Sequence, residues 1–152
     1  VEAPRRTPEV RIQEVFRLAV EESSGDRARG NVVAESLGYL QRGFDSHYAA
    51  GTSEDEQILL GDSSYAWAID TIARLDEPEF VAVASRLIRD GAGRISSGGA
   101  VDLGLWEPHL AGLLNILTGE EGAEGGLRIR RAVESLEDSG GGAEEPGRRP
   151  VS

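Results

Sequence analysis

The sequence predicts an all-α protein, a single-domain helical bundle of about six to seven helices arranged around one long central helix and ending in a disordered C-terminal tail. Three observations carry this. Apolar residues recur at alternating spacings of three and four along most of the chain, the period of a helix with one buried face. No segment alternates β-branched or aromatic residues with polar ones as a half-buried strand would. Clusters of Gly, Ser, Asp and Pro separate the periodic stretches. With 152 residues, 39% of them hydrophobic, the chain fills one core and not two.

Residues 1–6 are expected to be flexible, 7–137 to form the helical domain, and 138–152 to form the tail. Thr7-Pro8-Glu9 has the chemistry of a helix start: a capping hydroxyl, Pro at the first helical position and an acid at the positive dipole end. Ile12, Val15, Phe16 and Ala19 then share a face, and Ser23-Ser24-Gly25 ends the element. A second helix follows Gly30-Asn31, with Val33, Leu37, Leu40 and Phe44 in register and Gly38 marking a close helix contact. Asp45 to Ala50 is expected to be a short segment of its own.

Ser53-Glu54-Asp55-Glu56 fits a capping box, and Ile58, Gly61, Tyr65, Ala68, Ile72 and Leu75 continue it as one stripe. At about 22 residues, or roughly 33 Å, this segment is expected to be the central helix. Asp76-Glu77-Pro78-Glu79 opens the next, with Phe80, Val83, Ala84, Leu87 and Ile88 on one face and Gly91 as its stop. So short a turn makes the two an antiparallel hairpin. Gly91 to Gly99 reads as a loop, although its first part can prolong the helix at a cost. Asp102 precedes an amphipathic helix bearing Leu103, Leu105, Trp106, Leu110, Leu113, Leu114 and Leu117, with Pro108 near its start and Gly119 at its end. A last helix carries Leu127, Ile129, Val133 and Leu136. Beyond it, Gly, Pro and charged residues cannot bury enough surface to offset the entropy of ordering.

The net charge is −11, and all 16 basic residues are Arg. They are scattered among more numerous carboxylates, so the basic stripe that nucleic acid requires is missing. The absence of Cys removes disulfides, thiolate metal sites and a thiol nucleophile. No apolar run reaches the roughly 18–20 residues of a membrane span, and Val1 to Arg6 lacks the apolar core of a secretion signal. A cytoplasmic location is expected.

No catalytic constellation stands out, and no cofactor is implied. His47 and His109 fall in different segments without HxxxH or HExxH spacing and read as ordinary half-buried or surface residues. Glu54, Asp55 and Glu56 are accounted for by the helix start they occupy. The stretch containing Arg94, Ser96 and Ser97 has Gly-rich composition, but it lacks the preceding strand and the Lys of a phosphate-binding loop. Trp106 reads as core. Trp67 lies off the Ile58-to-Leu75 stripe, where another helix or a partner can cover it.

Ile58-Leu59-Leu60-Gly61-Asp62-Ser63-Ser64-Tyr65-Ala66-Trp67-Ala68, followed by Ile72-Ala73-Arg74-Leu75-Asp76-Glu77-Pro78-Glu79, resembles a helix of trans-polyprenyl diphosphate synthases. There an apolar run leads into Gly-Asp, an aromatic or Leu and an Ala-rich face, before a short turn and another helix. The likeness spans about residues 55 to 95. That family holds Mg²⁺ on an allylic diphosphate with Asp-rich DDxxD motifs, and neither Asp45 nor the acids at 54–56 have this spacing. Metal-assisted diphosphate departure needs such carboxylates together on a helix face.

A short chain with the hairpin but not the aspartates is similar to the non-catalytic small subunit of two-component heptaprenyl or hexaprenyl diphosphate synthases. The resemblance implies an accessory role in isoprenoid synthesis, such as that of the menaquinone side chain, exerted by packing on a catalytic large subunit. Under it, Gly61 of the Gly61-Asp62 pair permits a close helix approach, while Tyr65, Trp67 and Ile69 contribute to the subunit contact or product groove. Asp62 and Trp106 are the remaining candidates for an interface or groove. The alternatives are a self-associating, homodimeric helical module and a complete synthase, the last requiring Mg²⁺-dependent turnover by the isolated chain.

Overall fold

The computed structural model describes residues 9–50 and 55–147, with side chains through 139. Among the described residues there are six helices and no strand: α1 Ile12–Glu21, α2 Arg27–Ala50, α3 Asp55–Ala73, α4 Pro78–Ser96, α5 Leu103–Thr118 and α6 Glu124–Gly147. The buried core draws on all of them, with Phe16, Phe44, Phe80 and Trp106 as its largest members.

The first helix begins at Ile12, not at Thr7-Pro8-Glu9, of which Thr7 and Pro8 lie outside the described residues. Its cap comes from α2: Gln41 Oε1 accepts from the Ile12 amide at 2.8 Å, and Gln41 Nε2 donates to the Val10 carbonyl at 3.1 Å. Helix α2 starts earlier than expected because Asp26 Oδ1 accepts from the amides of Ala28 and Arg29 at 2.8 and 3.3 Å. Gly30 thus falls inside the helix, where it meets Val20. The same helix runs through Asp45 to Ala50, so the separate segment expected there is its last turns.

The central helix is α2 and not α3. Helix α2 packs against α1, α3, α4 and α5, whereas α3 touches only α2 and α4. The reason lies in side-chain size. Val33, Leu37, Leu40 and Phe44 of α2 are buried, but α3 buries Gly61, Ser64, Ala68, Thr71 and Ile72. Ser53 and Glu54 of the expected capping box lie outside the described residues.

Asp76 takes a left-handed φ of 57° in the turn that returns α4 along α3, a conformation Asp tolerates better than most residues. Gly91 does not stop α4; the helix continues to Ser96. The stop is Gly98, at φ 93°, where the amides of Gly98 and Gly99 donate to the carbonyls of Ile95 and Arg94, both at 2.9 Å, the pairing of a Schellman motif. Asp102 caps α5 as expected, accepting from the Leu105 amide at 3.1 Å, and Gly119 ends it at φ 79°. In α6, Ile129 and Val133 are buried while Leu127 is exposed. This helix is described to Gly147, with side chains through 139, and 148–152 lie outside the described residues.

Candidate functional site

The interface between α2 and α3 is built by rings seated on glycines. A Cβ at Gly43 would lie 2.7 Å from Tyr65 Cε1, and one at Gly61 would lie 2.5 Å from the His47 ring, distances that no real side chain sustains. The ring over Gly61 is thus a histidine of the same chain, His47 of α2. A third ring, Phe44, lies against Gly91 of α4. Phe44 packs edge-on to Tyr65 and Trp106, with centroids 5.5 and 5.4 Å apart.

This seating brings Asp62 and Tyr65 together with His47. His47 Nε2 lies 3.1 Å from Asp62 Oδ1, and the His47 and Tyr65 rings are 5.1 Å apart. The Tyr65 hydroxyl oxygen is buried without a hydrogen-bond partner among the described residues. Burial, and secondarily the Asp62 carboxylate, push its phenol well above the usual tyrosine range. Around the three opens a cleft of about 850 Å³, lined also by Tyr48 and Ile58 and by Ile95 and Ser96 at the end of α4.

The other expected site residues lie elsewhere. Ile69 borders a shallow groove of about 550 Å³ between α3 and α4, beside Ala73 and Ile88. Trp106 is fully buried against Phe44 and offers no surface to a partner, so its place is the core. Trp67 stands on the outer face of α3, 48% exposed, its ring tilted against Tyr39 of α2 at 5.8 Å. Leu60, 41% exposed, lies seven positions before it on the same side, and Leu59, 65% exposed, lies beside Leu60. Tyr39 in turn carries the Arg42 guanidinium over its ring at 5.5 Å, so the rim of this face on α2 is an aromatic ring topped by a cation.

Leu59, Leu60, His47 and Tyr48 are site residues that the helical stripe does not reveal. For the leucines a signal exists: three successive apolar residues, 58 to 60, exceed what one buried face can take. For His47 and Asp62, 15 positions apart, no local signal exists. His109 makes a similar bridge between α5 and α4, its Nε2 3.0 Å from Asp90 Oδ2. Among the described residues no group of three His, Cys, Asp or Glu is placed to hold a metal ion. Nor is any described helix long and apolar enough to cross a membrane.

No protein-family model matches the chain, and no curated protein or solved structure is significantly similar to it.

Proposed function

We propose that the protein acts by helix packing on a protein partner, seated on the outer face of α3, and contributes no chemistry of its own. One observation carries this reading: the outer face of α3 exposes three large apolar residues, Leu59, Leu60 and Trp67. Single exposed apolar side chains are ordinary, but three on one helix face, continued by Tyr39 on the next helix, mark an interaction surface. Aromatic anchors such as Trp67 and Tyr39 are the residues that dominate interface energetics.

The resemblance of about residues 55–95 to the polyprenyl synthases supplies a candidate partner, a catalytic polyprenyl diphosphate synthase bearing both aspartate motifs. In that role the chain is an accessory subunit, and the α3–α4 hairpin is the element that docks. Affinity purification of the tagged full-length protein beside a Leu60→Asp/Trp67→Ala variant tests both levels. Recovery of such a synthase by the unaltered protein, and its loss with the variant, supports the accessory role. A self-complex that the variant dissolves retains docking through α3 and replaces the synthase by a second copy. Partners retained equally by the variant refute docking through α3.

A further inference from the structure

The cleft at the end of the α2–α3–α4 packing has a chemistry separate from the outer face of α3. Its volume of about 850 Å³ lies within the roughly 300–1,000 Å³ of small-molecule sites. The last turns of α2, with His47 and Tyr48, and of α4, with Ile95 and Ser96, both border it. Two helix C-termini thus turn the negative ends of their dipoles toward it. Helix α3 begins at the same end, but Asp55 and Glu56 occupy its first turn and offset its positive end.

Asp62 supplies a full negative charge. Its Oδ1 is held by His47, its side chain is 64% exposed, and among the described residues no hydrogen bond reaches its other oxygen. Arg94, in the last turn of α4, is turned away, with Nη1 3.3 Å from the Ala100 carbonyl and 3.5 Å from Asp102. Among the described residues no arginine lines the cleft. Among the described residues its walls also include the apolar Ile58 and Ile95 and the exposed ring of Tyr48, with Ala92, Ser96 and Gly98 from the end of α4.

We propose that this cleft binds a small organic cation, an ammonium group carried on an apolar body. The ammonium donates to Asp62 and stacks on the Tyr48 ring, while the apolar body packs between Ile58 and Ile95. His47 acts as a positioning residue that fixes the Asp62 carboxylate at the mouth.

Hexylammonium is titrated into the full-length protein and followed by backbone amide shifts, with hexanol and hexanoate as neutral and anionic counterparts of equal chain length. Saturable shifts at Tyr48, Asp62 and Ile95 are expected, with hexanol weaker on the order of tenfold and hexanoate weaker still. Asp62→Asn lowers hexylammonium affinity on the order of tenfold. Ser96 is exposed and its hydroxyl makes only a 3.5 Å contact with the Gly93 carbonyl, so Ser96→Arg leaves the fold intact while placing a cation in the cleft, and it abolishes binding. If Asp62→Asn fails to fold, Ser96→Arg decides. Equal affinity for hexanol, indifference to Ser96→Arg, shifts confined to the outer face of α3, or no saturable binding each overturn the proposal.

Discussion

Gly91 and Gly93 stand two positions apart on α4, and replacing each by Ala separates helix propensity from packing. In either place Ala gains about 0.5–1 kcal/mol by restricting the unfolded backbone. At Gly93 nothing lies within 4 Å of the new methyl group, so the gain is kept. At Gly91 the methyl group runs into Cε1 and Cζ of Phe44. Phe44 has nowhere to retreat, being 1% exposed and held edge-on by Trp106 and Tyr65. Overpacking of this kind costs about 1–3 kcal/mol, for a net loss of up to about 2 kcal/mol. The propensity gain is common to both variants, so they should differ by the overpacking cost, about 1–3 kcal/mol, or roughly 3–10 °C in Tm for a domain of this size. Urea and thermal melts followed by circular dichroism measure the gap. Adding Phe44→Leu to Gly91→Ala should return part of the loss, with a coupling on the order of 1 kcal/mol. Equal stabilisation by both alanines would refute the seating of Phe44 on α4.

Tyr65→Phe removes a buried hydroxyl that has no partner among the described residues, and a net gain of about 1 kcal/mol is expected; a loss of that size means the hydroxyl is bonded. Because the folded phenol is raised by burial and then by Asp62, the folded state keeps its proton longer than the unfolded chain. Its contribution is intact below the unfolded value of about 10 and is lost as pH rises beyond it. Absorbance at 295 nm should show one tyrosine ionising only with alkaline unfolding, a component missing from Tyr65→Phe. Asp102→Ala deletes the cap on the Leu105 amide and should cost about 0.5–2 kcal/mol, read as a lower urea midpoint with an unchanged slope.

Where a feature was set by neighbouring residues, it could be read from the sequence. The faces Ile12-Val15-Phe16-Ala19, Val33-Leu37-Leu40-Phe44 and Leu110-Leu113-Leu114-Leu117 are all buried, and the stops at Ser23 and Gly119 and the cap at Asp102 stand where local chemistry puts them. Features set across the fold were hidden. The start of α1 depends on Gln41, the need for Gly at 91 on the Phe44 ring, and the orientation of Asp62 on His47. Glycine is read locally as a breaker, yet Gly43, Gly61 and Gly91 serve as seats for rings of other helices. The most regular apolar stripe, from Ile58 to Leu75, suggested a central helix, because periodicity records which residues share a face and not how large they are.

The outer face of α3 also limits how strongly it can bind. Full burial of a large apolar side chain is worth about 1.5–3 kcal/mol. Leu59, Leu60 and Trp67 retain 65%, 41% and 48% exposure, so covering them yields together about 2–5 kcal/mol. Association itself costs at least about 4 kcal/mol. These three residues therefore cannot hold a partner alone; in the proposed docking they are the centre of a patch whose margin must reach Tyr39 and Arg42 toward the roughly 800 Å² per side of a stable interface. A centre and a margin respond differently to substitution. Removing Trp67 should lower affinity by about 2 kcal/mol or more, roughly thirtyfold, through faster dissociation. Removing the charge of Arg42 should act mainly on the association rate and its salt dependence. If Arg42 proved the larger determinant and Trp67 neutral, contact would be electrostatic and the apolar face of α3 would not be its centre.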